Sequence, residues 1–424
     1  MRYEEAVAEL EARGAGRMIP DLGRITAVAD LLDNPQRTYP TVHVAGTNGK
    51  STTARLVGRI LCAHGVSAGL FTSPHLESVT ERLSLCDVMI SREELAETYT
   101  HLLPYLQEVD RQGERVTYFE ALAALGYLWF ADKPVDIGVF EVGMGGTWDA
   151  TNLIAGQVAV ICPVGLDHPE LGSTVAEVAG EKAGIIKPGG LAVVRDQRPE
   201  ALEVIERRAK EVGADLRLEY RDFELLRRDQ AVGGQRLSVK GLRGEYRGIF
   251  LSLHGEHQGH NAAAAIAAAE AMLGAELDEG ALTEAFGGAT SPGRMEVVSR
   301  HPLVVLDGAH NVDGAEALAE AIGEAFLWKR LFLVVGILDR KDAGGIVEAL
   351  APRATAAFAA TNSNPHSLPA ERVAALADAA GVPAVAYPSV EEALAAAEAA
   401  AGEDDLILVT GSLYTVADAR RSKG

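Results

Sequence analysis

Positive charge is what this chain is short of. Its 424 residues carry 39 lysines and arginines against 60 aspartates and glutamates, a formal net charge of −21. That field repels a phosphate backbone, so nucleic acid is excluded as an expected partner. Long apolar runs are missing as well: none approaches the roughly 18–20 residues of a membrane span, and no membrane partner is expected. No secretory leader is expected either, because the N-terminus, "MRYEEAVAELEARG", reads as a charged amphipathic helix. Cysteine is scarce, and Cys62, Cys86 and Cys162 are scattered and odd in number. They are expected to be reduced, buried thiols in a cytoplasmic protein. What is present suits a globular protein: 48% of residues are apolar and mean hydropathy is near zero. The length exceeds one ordinary core, so two or three domains are expected.

The apolar runs "TVHVAG", "VDIGVFEVG", "QVAVICPVG" and "LAVVRD" alternate with helical stretches and read as buried parallel strands of an α/β fold. After Pro199 the pattern changes. "RDFELLRRDQAVGGQRLSVKGLRGEYRGIFLSL" alternates and carries glycine turns, which predicts a β ribbon of antiparallel strands. "NAAAAIAAAEAML" is a strong helix by propensity. "GGATSPGRMEV" reads as a linker, and a second α/β series follows in "PLVVLDGAH", "RLFLVVGIL", "ATAAFAATN", "AVAYPSV" and "DLILVTGS". The predicted organisation is a domain over 1–290, a linker over 291–297 and a smaller domain over 298–424.

The segment "TVHVAGTNGKSTTARLVGRILCAHG" passes from a strand pattern through Gly46, Thr47, Asn48, Gly49, Lys50, Ser51 and Thr52 into a helix. The two glycines permit a tight turn that aims backbone N–H groups inward, the helix start adds partial positive charge, and Lys50 can reach outer phosphates. The strict phosphate-loop pattern asks for a further glycine at position 44, which is Val44. That points away from ordinary P-loop hydrolases. Gly65 should end the helix.

Other chemistry-bearing residues follow strand patterns, where open α/β sheets place their sites. "LFTSPHLESVTER" offers Ser73 and His75, "VFEVGMGGTWDATN" offers Glu141 and Asp149, "GLDH" offers Asp167 and His168, and "VAGEKAGIIK" offers Lys182. A carboxylate, an imidazole and a hydroxyl near a phosphate loop suit a divalent cation that bridges phosphate oxygens. Plainer readings exist: Ser73 as a helix cap, His168 as a turn residue, and Lys182 paired with Glu177 or Glu181 at helix spacing. Glu141 resists one, because burying it among apolar residues is costly without a donor or metal.

Taken together, "HVAGTNGKST", "TSPHL", "EVGMGGTWDATN", "GLDH", "EKAGIIKPG", "GEHQGHNAAAA", "PGRMEV", "DGAHN" and "VTGSLYTVADAR" resemble the folylpolyglutamate synthase/dihydrofolate synthase family of Mur-ligase-like, ATP-dependent amide ligases. The motifs keep the family's order over nearly the whole chain. One departure is Ser51, where the family usually has glycine, which leaves Ser51 and Thr52 as alternatives for facing a metal. The resemblance implies a Mur-ligase-like central domain with a parallel sheet and a β ribbon, followed by a Rossmann-like C-terminal domain carrying the glutamate site and part of the nucleotide site. It implies ATP on the loop and on Asn261, Arg294 and Asp307, with His310 close to the nucleotide. Two magnesium ions are implied, with ligands Ser73, Glu141, His168 and a carbamylated Lys182; Lys50, Lys182 and His310 are the implied catalytic groups. The pterin segments match Thr117, Phe119, Asp149 and Ala150, although a core role for Phe119 and a turn role for Asp149 also fit. The stretch around Asp21 and Gly23 matches the family's N-terminal segment only loosely.

The implied reaction is glutamate addition to a folate or to 7,8-dihydropteroate through an acyl phosphate, by a cytoplasmic monomer. A muramyl-type ligase shares the loop but should carry a UDP-binding domain ahead of it, and only about 40 residues precede "VHVAG" here. A non-catalytic nucleotide-binding homologue is disfavoured by the joint presence of Lys50, Glu141, His168 and Lys182.

Overall fold

The computed structural model describes residues 1–14 and 19–423. The chain forms two compact units. The first comprises Met1–Arg228, Leu237–Phe250 and Gly259–Ala289; the second comprises Asp229–Arg236, Leu251–Gln258 and Thr290–Gly424.

The first stretch of chain runs α1 (Tyr3–Glu11), α2 (Gly23–Leu31), β1 (Thr41–Ala45), α3 (Lys50–Ala63), β2 (Ala68–Phe71), β3 (Leu83–Leu85), β4 (Val88–Met89), α4 (Arg92–Gln112), α5 (Tyr118–Asp132), β5 (Ile137–Glu141), β6 (Val158–Ile161), α6 (Val175–Ala183), β7 (Leu191–Val194), α7 (Pro199–Val212) and β8 (Asp215–Leu218). The strands make one sheet in the order β4-β3-β2-β5-β1-β6-β7-β8. From β2 to β8 all neighbours are parallel; β3 and β4 turn antiparallel at one edge. Every residue of β1 and β5 is buried, which is why these strands read as unbroken apolar runs. β2 and β8 escaped the sequence pattern. β2 is only four residues, "AGLF", and the edge strand β8, "DLRL", is partly exposed with charges alternating along it.

Helix α5 is buried on nearly all sides and packs Trp129, Phe130 and Tyr127 with Phe71 and Phe140 from the sheet. α1 buries Ala6 and Leu10 against this same core. α3 ends as its sequence predicts, with Gly65 in the left-handed region at φ 77°.

The chain continues through β9 (Glu224–Ala231), β10 (Gly234–Lys240), β11 (Glu245–Leu251), α8 (Glu256–Leu273) and α9 (Glu279–Gly287). The three strands form a separate sheet in the order β11-β10-β9. Then come β12 (Glu296–Arg300), β13 (Leu303–Leu306), α10 (Val312–Ala325), β14 (Leu331–Val335), α11 (Ala343–Leu350), β15 (Ala356–Ala360), α12 (Ala370–Ala379), β16 (Ala384–Tyr387), α13 (Val390–Ala400), β17 (Leu406–Thr410) and α14 (Leu413–Arg421). Their sheet has the order β12-β13-β17-β14-β15-β16. Only β12 runs antiparallel to its neighbour in it.

The cysteines correct an expectation. Cys62 and Cys86 are joined in a disulfide, with Cα atoms 5.6 Å apart, and Cys86 is exposed; only Cys162 is a free, buried thiol. The reason lies in the β2–β3 pairing. It sets Gly69 opposite Leu85, so the chain returns to the start of β2, which directly follows α3. Spacing along the sequence carries no sign of that return. Among the described residues, no helix is long and apolar enough to cross a membrane.

Candidate active site

The loop after β1 is tied down on both sides. Thr47 N–H donates to the carbonyl of Pro163 at 2.8 Å. The Thr47 hydroxyl donates to Gly165 O at 3.0 Å and accepts from Gly165 N–H at 2.9 Å. Both loop glycines are required. Gly46 has φ 149°, and a Cβ there would lie 2.5 Å from the Cβ of Cys162; Gly49 has φ 89°, and a Cβ there would lie 2.6 Å from Asn261 Oδ1. α3 begins at Lys50, whose Nζ folds back to the Thr47 carbonyl at 3.2 Å. A helix start with its backbone N–H groups presented beside a lysine is a site for a phosphate chain.

Glu141 ends β5 and is 1% exposed. Its Oε1 accepts from the Ser51 hydroxyl at 2.6 Å and its Oε2 from Ser73 N–H at 3.0 Å. Ser51 therefore carries its hydroxyl to the carboxylate, while Thr52 is buried. β5 lies between β2 and β1, so segments distant in sequence converge on it. Ser73 precedes a cis proline and caps no helix; the next cap is Ser78. Burial pushes the Glu141 carboxyl above its ordinary range, against the pull of Lys50 and the Ser51 hydroxyl.

Lys182, on α6, is 4% exposed and donates from Nζ to the carbonyl of Gly46 at 2.8 Å. Burial first, then the charge of Lys50, lowers its pKa to about 7. Glu177 is engaged elsewhere, in the capping box with Thr174 and on Ser173 N–H. His168 is partly exposed, with Nε2 3.1 Å from Asp167 Oδ2.

Among the described residues, no three His, Cys, Asp or Glu side chains gather as a metal site. One buried carboxylate with two serines, Ser51 and Ser73, is nonetheless a donor set that suits magnesium, which keeps few protein ligands and completes its shell with water and phosphate oxygens.

On the β2 side, α5 starts at a capping box in which the Thr117 hydroxyl accepts Glu120 N–H and Glu120 accepts Thr117 N–H. Arg24 grips the same Glu120 at 2.9 Å, so α2 fixes this segment. Phe119 is half-buried, edge-on to Phe71 at 6.0 Å between centroids, and its ring fills the space a side chain at Gly143 would need. Ala150 is buried. Asp149 is engaged internally: Oδ1 accepts from Thr151 N–H at 2.9 Å and from its hydroxyl, and Oδ2 accepts from Met144 N–H at 2.9 Å. His43 Nε2 lies 2.8 Å from the same Thr151 hydroxyl. In the loop from Ser73 to Arg82, Glu81 collects the N–H groups of Leu76, Glu77 and Ser78. Arg82 there donates to His75 Nδ1 at 2.8 Å and lies over the Tyr118 ring.

On the β8 side is a network the sequence reading missed. Arg195, just past β7, donates to Asn261 Oδ1 at 2.7 Å and to Glu219 Oε2 at 2.9 Å. Glu219, just past β8, lies 2.6 Å from His260 Nδ1. A charged residue directly after the buried run "LAVV" was the available signal. In the second unit, the 6%-exposed Asp307 accepts from Met295 and Ala309 N–H groups at 2.9 and 2.8 Å. Burial raises its pKa against the pull of Arg294, and His310 Nδ1 lies 2.8 Å from Gly308 O.

A two-unit α/β chain with a phosphate loop, a buried carboxylate beside it and a lysine folded onto the loop has the parts of a nucleotide-dependent enzyme. The Mur ligase middle domain matches residues 44–269, and the Mur ligase glutamate ligase domain matches residues 293–413. A dihydrofolate synthase/folylpolyglutamate synthase of Mycobacterium tuberculosis is 40% identical over 95% of this chain and 90% of its own. A folylpolyglutamate synthase of that organism, solved in complex with ADP, superimposes with a TM-score of 0.94 at 40% identity, over 100% of this chain and 98% of the other. An FPGS–AMPPCP–folate complex gives 0.89 at 30% identity, over 100% and 99%. The chain belongs to the folylpolyglutamate synthase/dihydrofolate synthase family.

Proposed function

We propose that this protein joins L-glutamate to a folate, and also to 7,8-dihydropteroate, at the expense of ATP. The observation that carries the reading is the meeting of Lys50, Ser51, Ser73 and Glu141 at the carboxyl ends of β1, β2 and β5. The relatives named above, one with both activities in its name and one bound to folate, support it. A carboxylate resists an amine because oxide is a poor leaving group. The carboxylate oxygen of the folate takes the γ-phosphoryl group of ATP, releasing ADP and leaving an acyl phosphate. The glutamate amine then attacks the acyl carbon, loses a proton, and the C–O bond to phosphate breaks.

The protein's task in the first step is position and charge. The loop 46–52 and Lys50 hold the phosphates; Asn261, Arg294, Asp307 and His310 complete the nucleotide contacts. Ser73 and Glu141 would hold a magnesium ion, with His168 and Lys182 available to a second, and the metal would supply Lewis-acid neutralisation of the phosphate oxygens. With its pKa lowered to about 7, Lys182 is in part an uncharged amine at neutral pH. Its lone pair can form an N–C bond to carbon dioxide with loss of a proton, giving a carbamate whose oxygens suit a hard cation. Phe119 offers the pterin an aromatic face, Thr117 and Ala150 border it, and Asp149 holds the glycine loop in shape. The second unit receives glutamate. The same reading takes the protein as a cytoplasmic monomer.

The test is mass analysis of products from ATP, magnesium and glutamate with either 7,8-dihydropteroate or a reduced folate. Dihydrofolate from the first mixture and a diglutamate from the second are expected. Product from neither would overturn the reading; product from the second alone would reduce the enzyme to tail extension.

A further inference from the structure

Tyr220 is an anomaly on the β8 side of the site. It is 57% exposed, and its backbone sits in the left-handed region at φ 66°. Large side chains rarely adopt that conformation, and when they do the surroundings hold them there. Here the holding is visible. Tyr220 N–H donates to Phe223 O at 2.8 Å, closing a tight turn immediately after β8. The ring stands edge-on to His260, with centroids 6.1 Å apart. His260 is fixed through Nδ1 to Glu219, Glu219 to Arg195, and Arg195 to the Asn261 carboxamide, which abuts Gly49 of the phosphate loop. A chain of hydrogen bonds, closed by one edge-on ring contact, therefore runs from beside the phosphate loop to one exposed aromatic ring.

The sheet gives the span. β8 is three strands from β1, through β6 and β7, or roughly 14 Å at about 4.8 Å per strand. That is a length an extended nucleoside triphosphate covers. Both ends lie at carboxyl ends of parallel strands, on the same rim of the sheet. The residues proposed for the pterin lie in the opposite direction, toward β5 and β2.

We infer that Tyr220 is a base-stacking residue of the nucleotide site: its ring packs on the purine of ATP, and Arg195 positions Asn261 beside it. The inference rests on the ATP-dependent reading above and adds the contact that holds the base. Stacking on an aromatic is tolerant of base identity but is lost with the ring.

The experiment measures binding of magnesium–AMPPCP and of magnesium–tripolyphosphate to the full chain by calorimetry. Tyr220→Asn removes the ring while keeping a residue that tolerates positive φ, so the fold is preserved and the melting temperature does not fall. AMPPCP affinity should drop roughly ten- to a hundredfold, with tripolyphosphate affinity unchanged, and Tyr220→Phe should bind AMPPCP as the parent does. Unchanged AMPPCP affinity in Tyr220→Asn overturns the inference. So does an equal loss for both probes, because that places the effect at the phosphates. A parent protein that binds neither probe overturns the ATP-dependent reading itself, and this inference with it.

Discussion

Replacing Lys182 with methionine should stabilise the unliganded protein below neutral pH while abolishing its activity. The side chain is buried and points at the Gly46 carbonyl, and its pKa is lowered from 10.5 to about 7. A depression of that size corresponds to roughly 5 kcal/mol of unfavourable burial of the ammonium. The sign follows from proton counting. Below pH about 7 both folded and unfolded chains carry the charge, so the whole cost is present. Between there and 10.5 the unfolded chain holds a proton that the folded one has released, so stability rises by about 1.4 kcal/mol per pH unit. Above 10.5 the cost is gone. Methionine is of similar length and uncharged, so it removes the cost but forfeits the hydrogen bond to Gly46, leaving a buried carbonyl at a loss of about 1–3 kcal/mol. The net expectation is a gain of roughly 2–4 kcal/mol at pH 6, shrinking with rising pH and turning into a small loss near pH 10. Urea unfolding of parent and variant at pH 6, 8 and 10, in buffer free of carbon dioxide, measures it. A difference that stays flat with pH would refute the claim that a buried ammonium sits beside the phosphate loop.

Glu141→Ala should lower ligation by well over tenfold, more than about 1.4 kcal/mol of barrier, with the fold retained; a steady-state assay with circular dichroism decides it, and a rate above a tenth of the parent's contradicts the role. Asp149→Asn should cost roughly 2 kcal/mol in urea unfolding, because an amide NH2 replaces an oxygen that accepts backbone N–H groups; parent-like stability would show that the glycine loop does not depend on it. Cys62→Ser should lose about 3.5 kcal/mol relative to the oxidised parent, the chain-entropy value for a cross-link of separation 24, and should match the parent in reductant.

The sequence disclosed most where function demands unusual residues in a row. "GTNGKST" could be read because a phosphate turn needs glycines, a cation and hydroxyls in order. Glu141 could be read because a carboxylate in an apolar run has few innocent explanations. It did not disclose contacts between segments. Whether Ser51 or Thr52 faces Glu141 depends on the rotation of α3. The engagement of Asp149 with Met144 and Thr151 depends on how one loop closes on itself. The pairing of Cys62 with Cys86 follows from a strand returning beside β2, and the path from Arg195 to Tyr220 joins the loops after β7 and β8 through helix α8. Edge strand β8 has the polar alternation of a surface, so its role in carrying Glu219 and Tyr220 to the rim had no mark in hydropathy.

α3 is loaded at both ends. Lys50 and Ser51 open it; Cys62 lies twelve residues on, roughly 18 Å along the axis. Oxidation at the far end is thus remote from the phosphate chemistry yet clamps the helix that presents it. A purified sample handled with incomplete reductant would hold two populations of equal mass to within two hydrogens and similar turnover, but unequal resistance to heat. A thermal scan of such a sample would show two transitions from a single chain. Shelf life, protease sensitivity and apparent melting temperature would then vary between preparations while specific activity stayed constant.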